Sequence, residues 1–460
     1  MAQHSFPQLL DTLGIAHDAV SLPVTPPSGG EAHYAATLLV DEVGGGLHVL
    51  LGEASSLLDP ASLAPLGLRL ADTAECERFR RARRLESLHP VRPRGAERLY
   101  VQCATPALPQ SLVVVIGVGR GVRLSSSALA EIAPALEIVA LAATPGEEAL
   151  AEYLGARSDR NDSLRAVNQF TGRRVLQRLQ DLDVLPPMRE TARRLLDYRR
   201  TPGATIDHLS AIVAADPALS AQVVSWANAA AIGSRDIRTI PDAISRALGA
   251  ARVVNLGLGL ALNESLGGVG GSDYARLSDY WARALHCAQL SEDLARAART
   301  QGIALDPGSA YLAGLLHNLG EAVLCHLFSA QMPALDAAER LNPLVAPALV
   351  QRAVIGVADA QIGGVVADQW ELPEEAQAAI RAAAAGDEEQ ADAEGYAAVV
   401  NLALRLLAEA GLPATPILSS RSGDALARRI GEERCGKAKA RAREREGEVN
   451  ELLGLLTRDR

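Results

Sequence analysis

The hydrophobic pattern of this chain changes period once, and that change limits the folds open to it. Up to about residue 150, apolar runs of strand length alternate with glycine-rich turns: ATLLV and GLHVLLGE flank DEVGGG, and SLVVVIGVGRGVRL reads as two strands around GVGRG. After the polar stretch ARSDRNDSLRA (residues 156–166) strand signals stop, and apolar residues recur at helical spacing. A strand face and a helix stripe bury against different partners, so the chain builds separate cores, and 460 residues suffice for two or three. The expected fold is multidomain: an α+β domain over 1–150, a linker over 151–167, an all-α helical domain over 168–416, and a charged helical segment over 417–460.

Local signals place several helices in the second part. Thr205 is a plausible N-cap with Asp207 in the first turn, and the pair Asp216-Pro217 breaks the pattern that follows. Beyond it Leu219, Val223, Val224 and Trp226 form a helical core face. Thr239 caps the next helix, with Pro241 in its first turn and Gly249 at its stop. DYWARALHCAQLSEDLARAA and SAYLAGLLHNLGEAVLCHL read as two further helical blocks, separated from the earlier ones by the break GGVGGSD. The segment after Pro416 is rich in Arg and Glu, and reads as a solvated helix tied down by Leu452, Leu453, Leu455 and Leu456.

Composition narrows the function classes. The low aromatic share of 3%, with many Ala and Leu, suits helix packing. A formal net charge of -10 opposes nonspecific attraction to nucleic acid or to an acidic membrane. The arginines of ERFRRARRLESLHPVRPRG are interleaved with Glu at helical spacing, which describes a solvated face better than an RNA contact. TIPDAISRALGAARVVNLGL offers Arg246 and Arg252 around a glycine, as in helix-turn-helix, but its apolar positions predict burial rather than DNA reading. Five cysteines stand far apart without a CxxC pair, and no basic start leads an apolar run, so a soluble cytoplasmic protein is expected. No Walker loop, GxSxG elbow or HExxH helix is present.

LPPM, TIDHLSAIVAADPALSAQVVSWANAA, TIPDAISRALGAARVVNLGLGLAL and YLAGLLHNLGEAVL follow one another in an order that resembles the HDOD family, the HD-related output domains of bacterial signalling proteins. The resemblance runs from about Asn168 to Pro413 and implies a helical HD-like fold. It also implies where a metal would be held, because HD hydrolases gather imidazoles and carboxylates around a divalent ion that generates hydroxide. At those positions this chain has Arg283 for the first His, His317 with Asn318 for the His-Asp pair, and Leu404 for the last Asp. His286 stands one turn from Arg283, Asp359 is alone in IGVADAQIGG, and AIRAAAAG carries methyl groups where related chains carry histidines. A guanidinium has no lone pair to donate and an amide lacks the carboxylate's charge, so one possible ligand of four remains and no metal or other cofactor is expected.

The opening region, EAHYAATLLVDEVGGGLHVLLGE with SLVVVIGVGRGVRLSSSALAEI, resembles the YbaK/prolyl-tRNA-editing family over about Phe6 to Ala142. That resemblance implies an aminoacyl-tRNA deacylase-like fold, with Ala36 where the family has a Lys implicated in handling the ester. The glycine-rich turn supplies binding candidates Gly117, Gly119, Arg120 and Gly121, although a tight hairpin accounts for the same residues.

Taken together, the expected function is bacterial signal transduction or regulation through a catalytically degenerate HDOD domain, with a protein partner or a small-molecule ligand. Two enzymatic readings stay open: aminoacyl-tRNA deacylation by the first domain, with tRNA as partner, and residual metal-dependent phosphohydrolysis by the second. Neither a membrane nor DNA is an expected partner.

Overall fold

The computed structural model describes residues 5–21, 32–54, 57–85, 88–90, 97–103, 107–117, 120–134, 136–141, 188–230, 237–265, 274–382, 394–414 and 423–457. The expected linker at 151–167 lies outside them. In chain order the first elements are α1 (Phe6–Leu13), β1 (Asp18–Ser21), β2 (Ala32–Asp41), β3 (Leu47–Glu53), β4 (Leu68–Leu70), α2 (Thr73–Arg83), β5 (Leu99–Gln102), β6 (Ser111–Gly117), β7 (Arg120–Ser125), α3 (Ser126–Ile132) and β8 (Glu137–Val139). Helices follow: α4 (Glu190–Arg200), α5 (Ile206–Ala214), α6 (Pro217–Ala230), α7 (Ile240–Asp242), which runs on as a π turn, and α8 (Ala250–Ser265). Next come α9 (Tyr274–Arg299), α10 (Pro307–Leu316), α11 (Leu319–Leu327), α12 (Met332–Leu341), α13 (Pro347–Val354), α14 (Asp359–Gln369) and α15 (Glu374–Ala382). The last are α16 (Gly395–Ala410), α17 (Asp424–Ile430), α18 (Glu432–Glu444) and α19 (Glu446–Thr457).

Two compact units result. The first comprises Met1–Arg173, Ala330–Ala358 and Leu418–Ser420; the second comprises Arg174–Ser329, Asp359–Ile417 and Arg421–Arg460. The units therefore divide the chain differently from the linear boundaries at 150 and 168, since residues 330–358, deep in the helical part of the sequence, belong with the first unit.

The first unit is built on a mixed sheet of order β1-β7-β6-β2-β3-β5-β8, with β4 on β2. Alternation along the strands sends Leu38, Val40, Leu51, Val101 and Val114 to one face, where Phe6, Phe79 and Leu129 of α1, α2 and α3 cover them. Leu39, Leu50 and Tyr100 line a second core with Leu58, Leu63 and Leu341. Coverage of both faces explains why these strands read as nearly continuous apolar runs. DEVGGG closes the β2–β3 hairpin, with Asp41 Oδ1 accepting from the amides of Val43 (2.8 Å) and Gly44 (2.9 Å). In α2, Glu77 pairs with Arg80 (3.4 Å) and Arg81 (2.6 Å) on a solvent-facing surface, as the interleaved charges predict.

Leu341, at the end of α12, joins this second core from the far part of the chain. Beside it the Asn342 side chain accepts from the Leu58 amide at 2.7 Å and donates to the Leu58 carbonyl at 2.9 Å, satisfying both polar groups of one buried residue. Arg340 donates to the Ala71 carbonyl at 2.6 Å.

The second unit is helical and centred on α9, which packs against α10, α16, α18 and α19. Thr205 Oγ1 accepts from the His208 amide and Thr239 Oγ1 from the Asp242 amide, so both expected N-caps form. Asp216 Oδ1 caps α6 through the amides of Ala218 and Leu219, and Leu219, Val223 and Trp226 are buried along it while Val224 is half-buried. Gly249 follows the π turn at φ +80, a conformation that glycine adopts without cost.

One expectation needs correction here, and one is extended. SAYLAGLLHNLGEAVLCHL is not one helix: α10 stops at Leu316, and His317 and Asn318 form a corner before α11. In the C-terminal segment Leu452 and Leu453 are half-buried on α19, which packs on α9 and α6, while the side chains of Leu455 and Leu456 lie outside the described residues. Leu426, Ile430, Cys435, Ala438 and Ala442 anchor it as well, sharing one core with Leu290 and Leu294 of α9. Arg445 reaches Asp293 of α9 at 3.3 Å. No single helix among the described residues is long and apolar enough to cross a membrane.

Candidate functional site

The corner between α10 and α11 lies against α9, and α9 presents Tyr280 and Arg283 one turn apart on the same face. Asn318 ties the corner down by donating from Nδ2 to the Tyr280 carbonyl at 3.2 Å. Its Oδ1 is buried and has no hydrogen-bond partner among the described residues. Arg283 reaches Glu321, in the first turn of α11, and one terminal guanidinium nitrogen lies 2.6 Å from each carboxylate oxygen. Their side chains are only 18% and 13% exposed, so this pair works in a region of weak solvent screening.

His317 is buried, with Nδ1 2.7 Å from the Gly314 carbonyl. A carbonyl can only accept, so the neutral ring carries its proton on Nδ1 and its lone pair on Nε2. Burial, aided by the Arg283 guanidinium, pushes the imidazole down to about 4 against the opposing pull of the Gly314 hydrogen bond and the Glu321 carboxylate. His317 is therefore neutral at physiological pH. Burial, reinforced by Glu321, likewise pushes the Tyr280 phenol up.

A histidine held neutral in the fold makes stability pH-dependent. Because the folded ring titrates near 4 rather than at the ordinary 6.5, the unfolded chain takes up a proton that the folded chain refuses as pH falls between those values. His317 contributes full stability above 6.5 and about 3 kcal/mol less near pH 4. Urea unfolding measured from pH 7.5 to 4 should show this slope in the native chain and a flatter one in His317→Gln; equal slopes would refute it.

The remaining positions implied by the HD resemblance have surroundings of their own. Leu404, on α16, is buried in the apolar core shared with Leu290 and Leu294. His286 is buried, its Nε2 has no hydrogen-bond partner among the described residues, and the charge that acts on it is Glu446 of α19. Asp359 begins α14, with its own Oδ1 accepting from the Ala360 amide at 2.6 Å. Among the described residues no three His, Cys, Asp or Glu side chains gather where they could hold a metal ion. The donor set does not fit a divalent cation: a guanidinium, an amide and a methyl-rich side chain stand at three of the four positions.

Tyr280 and Glu321 were not singled out from the sequence. Glu321 had a legible signal, four residues after His317 in HNLGE and hence close to it in space. Its partner Arg283 lies 38 residues away and could not be paired without the fold.

In the first unit the residues implied by the editing resemblance occupy a hairpin and a strand centre. Gly117 and Arg120 pair across the β6–β7 turn, and Gly121 lies opposite Val20 and Val115. Arg120 is exposed, and Gly119 lies outside the described residues. Ala36 sits opposite Leu51 and is half-buried against the core.

A helical unit with a His-led corner packed on a long central helix defines an HD-like domain. The HDOD domain model matches residues 185–385, and the chain carries an HDOD domain. A crystal structure described as a signal transduction protein from Marinobacter aquaeolei VT8 is similar over 97% of this chain and 98% of its own, with a TM-score of 0.70 and 24% identity, which establishes the shared fold of both units. One described as a phosphohydrolase from Shewanella amazonensis SB2B is similar over 61% of this chain and 97% of its own, with a TM-score of 0.47 and 23% identity. An uncharacterized protein of Treponema pallidum (strain Nichols) is 27% identical over 206 residues, 44% of this chain. That match spans 37% of the curated relative. The matches speak to the HDOD domain and to the two-unit fold, and the editing-family likeness of the first unit is not among what they show.

Proposed function

We propose that this chain is a bacterial signal-transduction protein that acts by binding a protein partner or a small ligand, through an HDOD domain without metal-dependent hydrolysis. The observation that carries this reading is the Arg283–Glu321 pair beside neutral His317. The guanidinium, its charge met by the Glu321 carboxylate, places fixed N–H donors at the corner, but it has no lone pair to give a metal ion that would hold a water and lower its pKa. The site therefore keeps an electrostatic feature suited to recognition and lacks the means to make hydroxide. The first unit's sheet accompanies it as a sensing or docking module, in keeping with the two-unit fold shared with the Marinobacter protein.

Metal analysis of the full chain after incubation with Mn²⁺ and desalting tests the reading. Less than stoichiometric metal, identical in the native chain and in His317→Ala, is expected. One tightly held equivalent that disappears in His317→Ala, together with phosphodiester hydrolysis, would overturn it.

A further inference from the structure

The pairing of β3 with β5 begins at Val49 opposite Leu99, and one residue earlier a side chain takes the place of the backbone. Val49 donates to the Arg98 carbonyl at 3.0 Å, while the Arg98 amide donates to Nδ1 of His48 at 3.1 Å. An amide N–H can only donate, so Nδ1 carries the lone pair and the neutral ring keeps its proton on Nε2. His48 is 4% exposed, opposite Leu39 on β2, with the Tyr100 ring edge-on at 5.7 Å. All of these residues lie in the first unit.

A proton added to this ring can go only to Nδ1, where it meets the Arg98 N–H. Two donors then face each other in a buried place and the bond is lost. The surrounding charges do not offset that loss. Asp41, the carboxylate that acts on the ring, already accepts from the amides of Val43 and Gly44. The Arg98 guanidinium has the same sign as an imidazolium and is paired with Glu137 on β8. On β4, Arg69 is engaged by Glu75 of α2 at 2.8 Å. Burial, together with the Arg98 guanidinium, holds the ring below its ordinary 6.5 against the pull of Asp41.

An edge of the sheet hangs on this bond. β8 ends the sheet order and is reached through β5: Tyr100 stands opposite Glu137, and the Cys103 amide donates to the Val139 carbonyl at 3.2 Å. Tyr100, Val139 and Leu141 belong to the second core.

We infer that His48 is a proton-operated clasp on the β5–β8 edge of the sheet. Neutral, it receives the Arg98 amide and closes the edge; protonated, it lets the start of β5 and β8 come away and uncovers Tyr100, Val139 and Leu141. In the released edge the ring titrates at its ordinary 6.5 and in the closed edge below it, so the clasp is fully closed above 6.5 and opening gains as pH falls. One unit below 6.5 the gain is about tenfold.

Hydrogen–deuterium exchange on the full chain, corrected for the intrinsic pH dependence of exchange, tests the clasp. Between pH 7.5 and 5.5 the amides of residues 98–102 and 136–141 are expected to lose about tenfold in protection, while those of β6 and β7, beyond β2 in the sheet, keep theirs. His48→Asn keeps an acceptor close to the place of Nδ1 and takes up no proton, so its edge should stay closed at both pH values. His48→Leu leaves the Arg98 amide unmet and its edge should be open at both. The inference is overturned if the native edge is equally protected at both pH values, if His48→Asn loses as much protection as the native chain, if His48→Leu is as protected as the native chain at pH 7.5, or if β6 and β7 loosen with the edge. Should neither variant fold, nitrogen-15 spectra of the native imidazoles decide the matter: a bare Nδ1 at His48 at pH 7.5 is expected, and a protonated one rejects the clasp.

Discussion

Gly320→Ala is expected to destabilise the helical unit by about 3 kcal/mol or more, against the usual helix preference for alanine. The added methyl would fall on the Asp359 carbonyl oxygen, a backbone atom with no rotamer to change. Relief requires the closely crossed backbones of α11 and α14 to separate, since a Cβ on Gly363 would likewise lie 3.0 Å from the Gly320 Cα. Gly364→Ala is the control. Its methyl would meet only the flexible Arg381 side chain, at 3.7 Å, and removal of a mid-helix glycine should leave stability unchanged or raise it by about 0.5–1 kcal/mol. Thermal unfolding of the two variants side by side checks the pair, and equal melting temperatures would mean that the crossing is looser than described.

Arg283→Ala should cost about 3–5 kcal/mol, because it leaves the Glu321 carboxylate charged in a place where it is 13% exposed. The loss is the cost of breaking one half of a largely buried pair and does not measure the net worth of the pair. Replacing both partners, as Arg283→Met with Glu321→Leu, should therefore recover most of the stability in urea unfolding. A double variant as unstable as Arg283→Ala would show that the guanidinium is held for another interaction.

Much of the second unit was legible because its signals are local. A Thr side chain caps the helix that begins beside it, and Asp216-Pro217 ends one run and starts another, wherever the rest of the chain goes. The strand and turn assignments of the first unit rest equally on short-range alternation and on the glycine-rich hairpins. The poor ligand chemistry of Arg283, Asn318 and Leu404 was also visible in one dimension, since the chemistry of a side chain as a ligand does not depend on its neighbours.

The misread features share a cause. An apolar stripe on α12 announces that it will be buried but does not name the surface, and the sheet of a distant segment provided it. The C-terminal helices were anchored through Cys435, Ala438 and Ala442, small residues whose burial depends on how closely α9 and α16 approach and which look unremarkable in an Arg/Glu-rich run. Continuous helical periodicity through LLHNLGEAV concealed a bend, since periodicity reports which side is apolar and carries no information about axis direction.

By itself, then, the amino-acid order determined the kinds of element, most of their ends and the HDOD character of the helical part, all of which follow from interactions within a turn or two of chain. Only the tertiary structure decided that α12 and α13 serve the sheet, that Gly320 and Gly363 bring two backbones into contact, and that Arg283 meets Glu321. Those outcomes depend on burial and on pairing between residues far apart in sequence, where the free energy of a contact is set by the surface that arrives to make it.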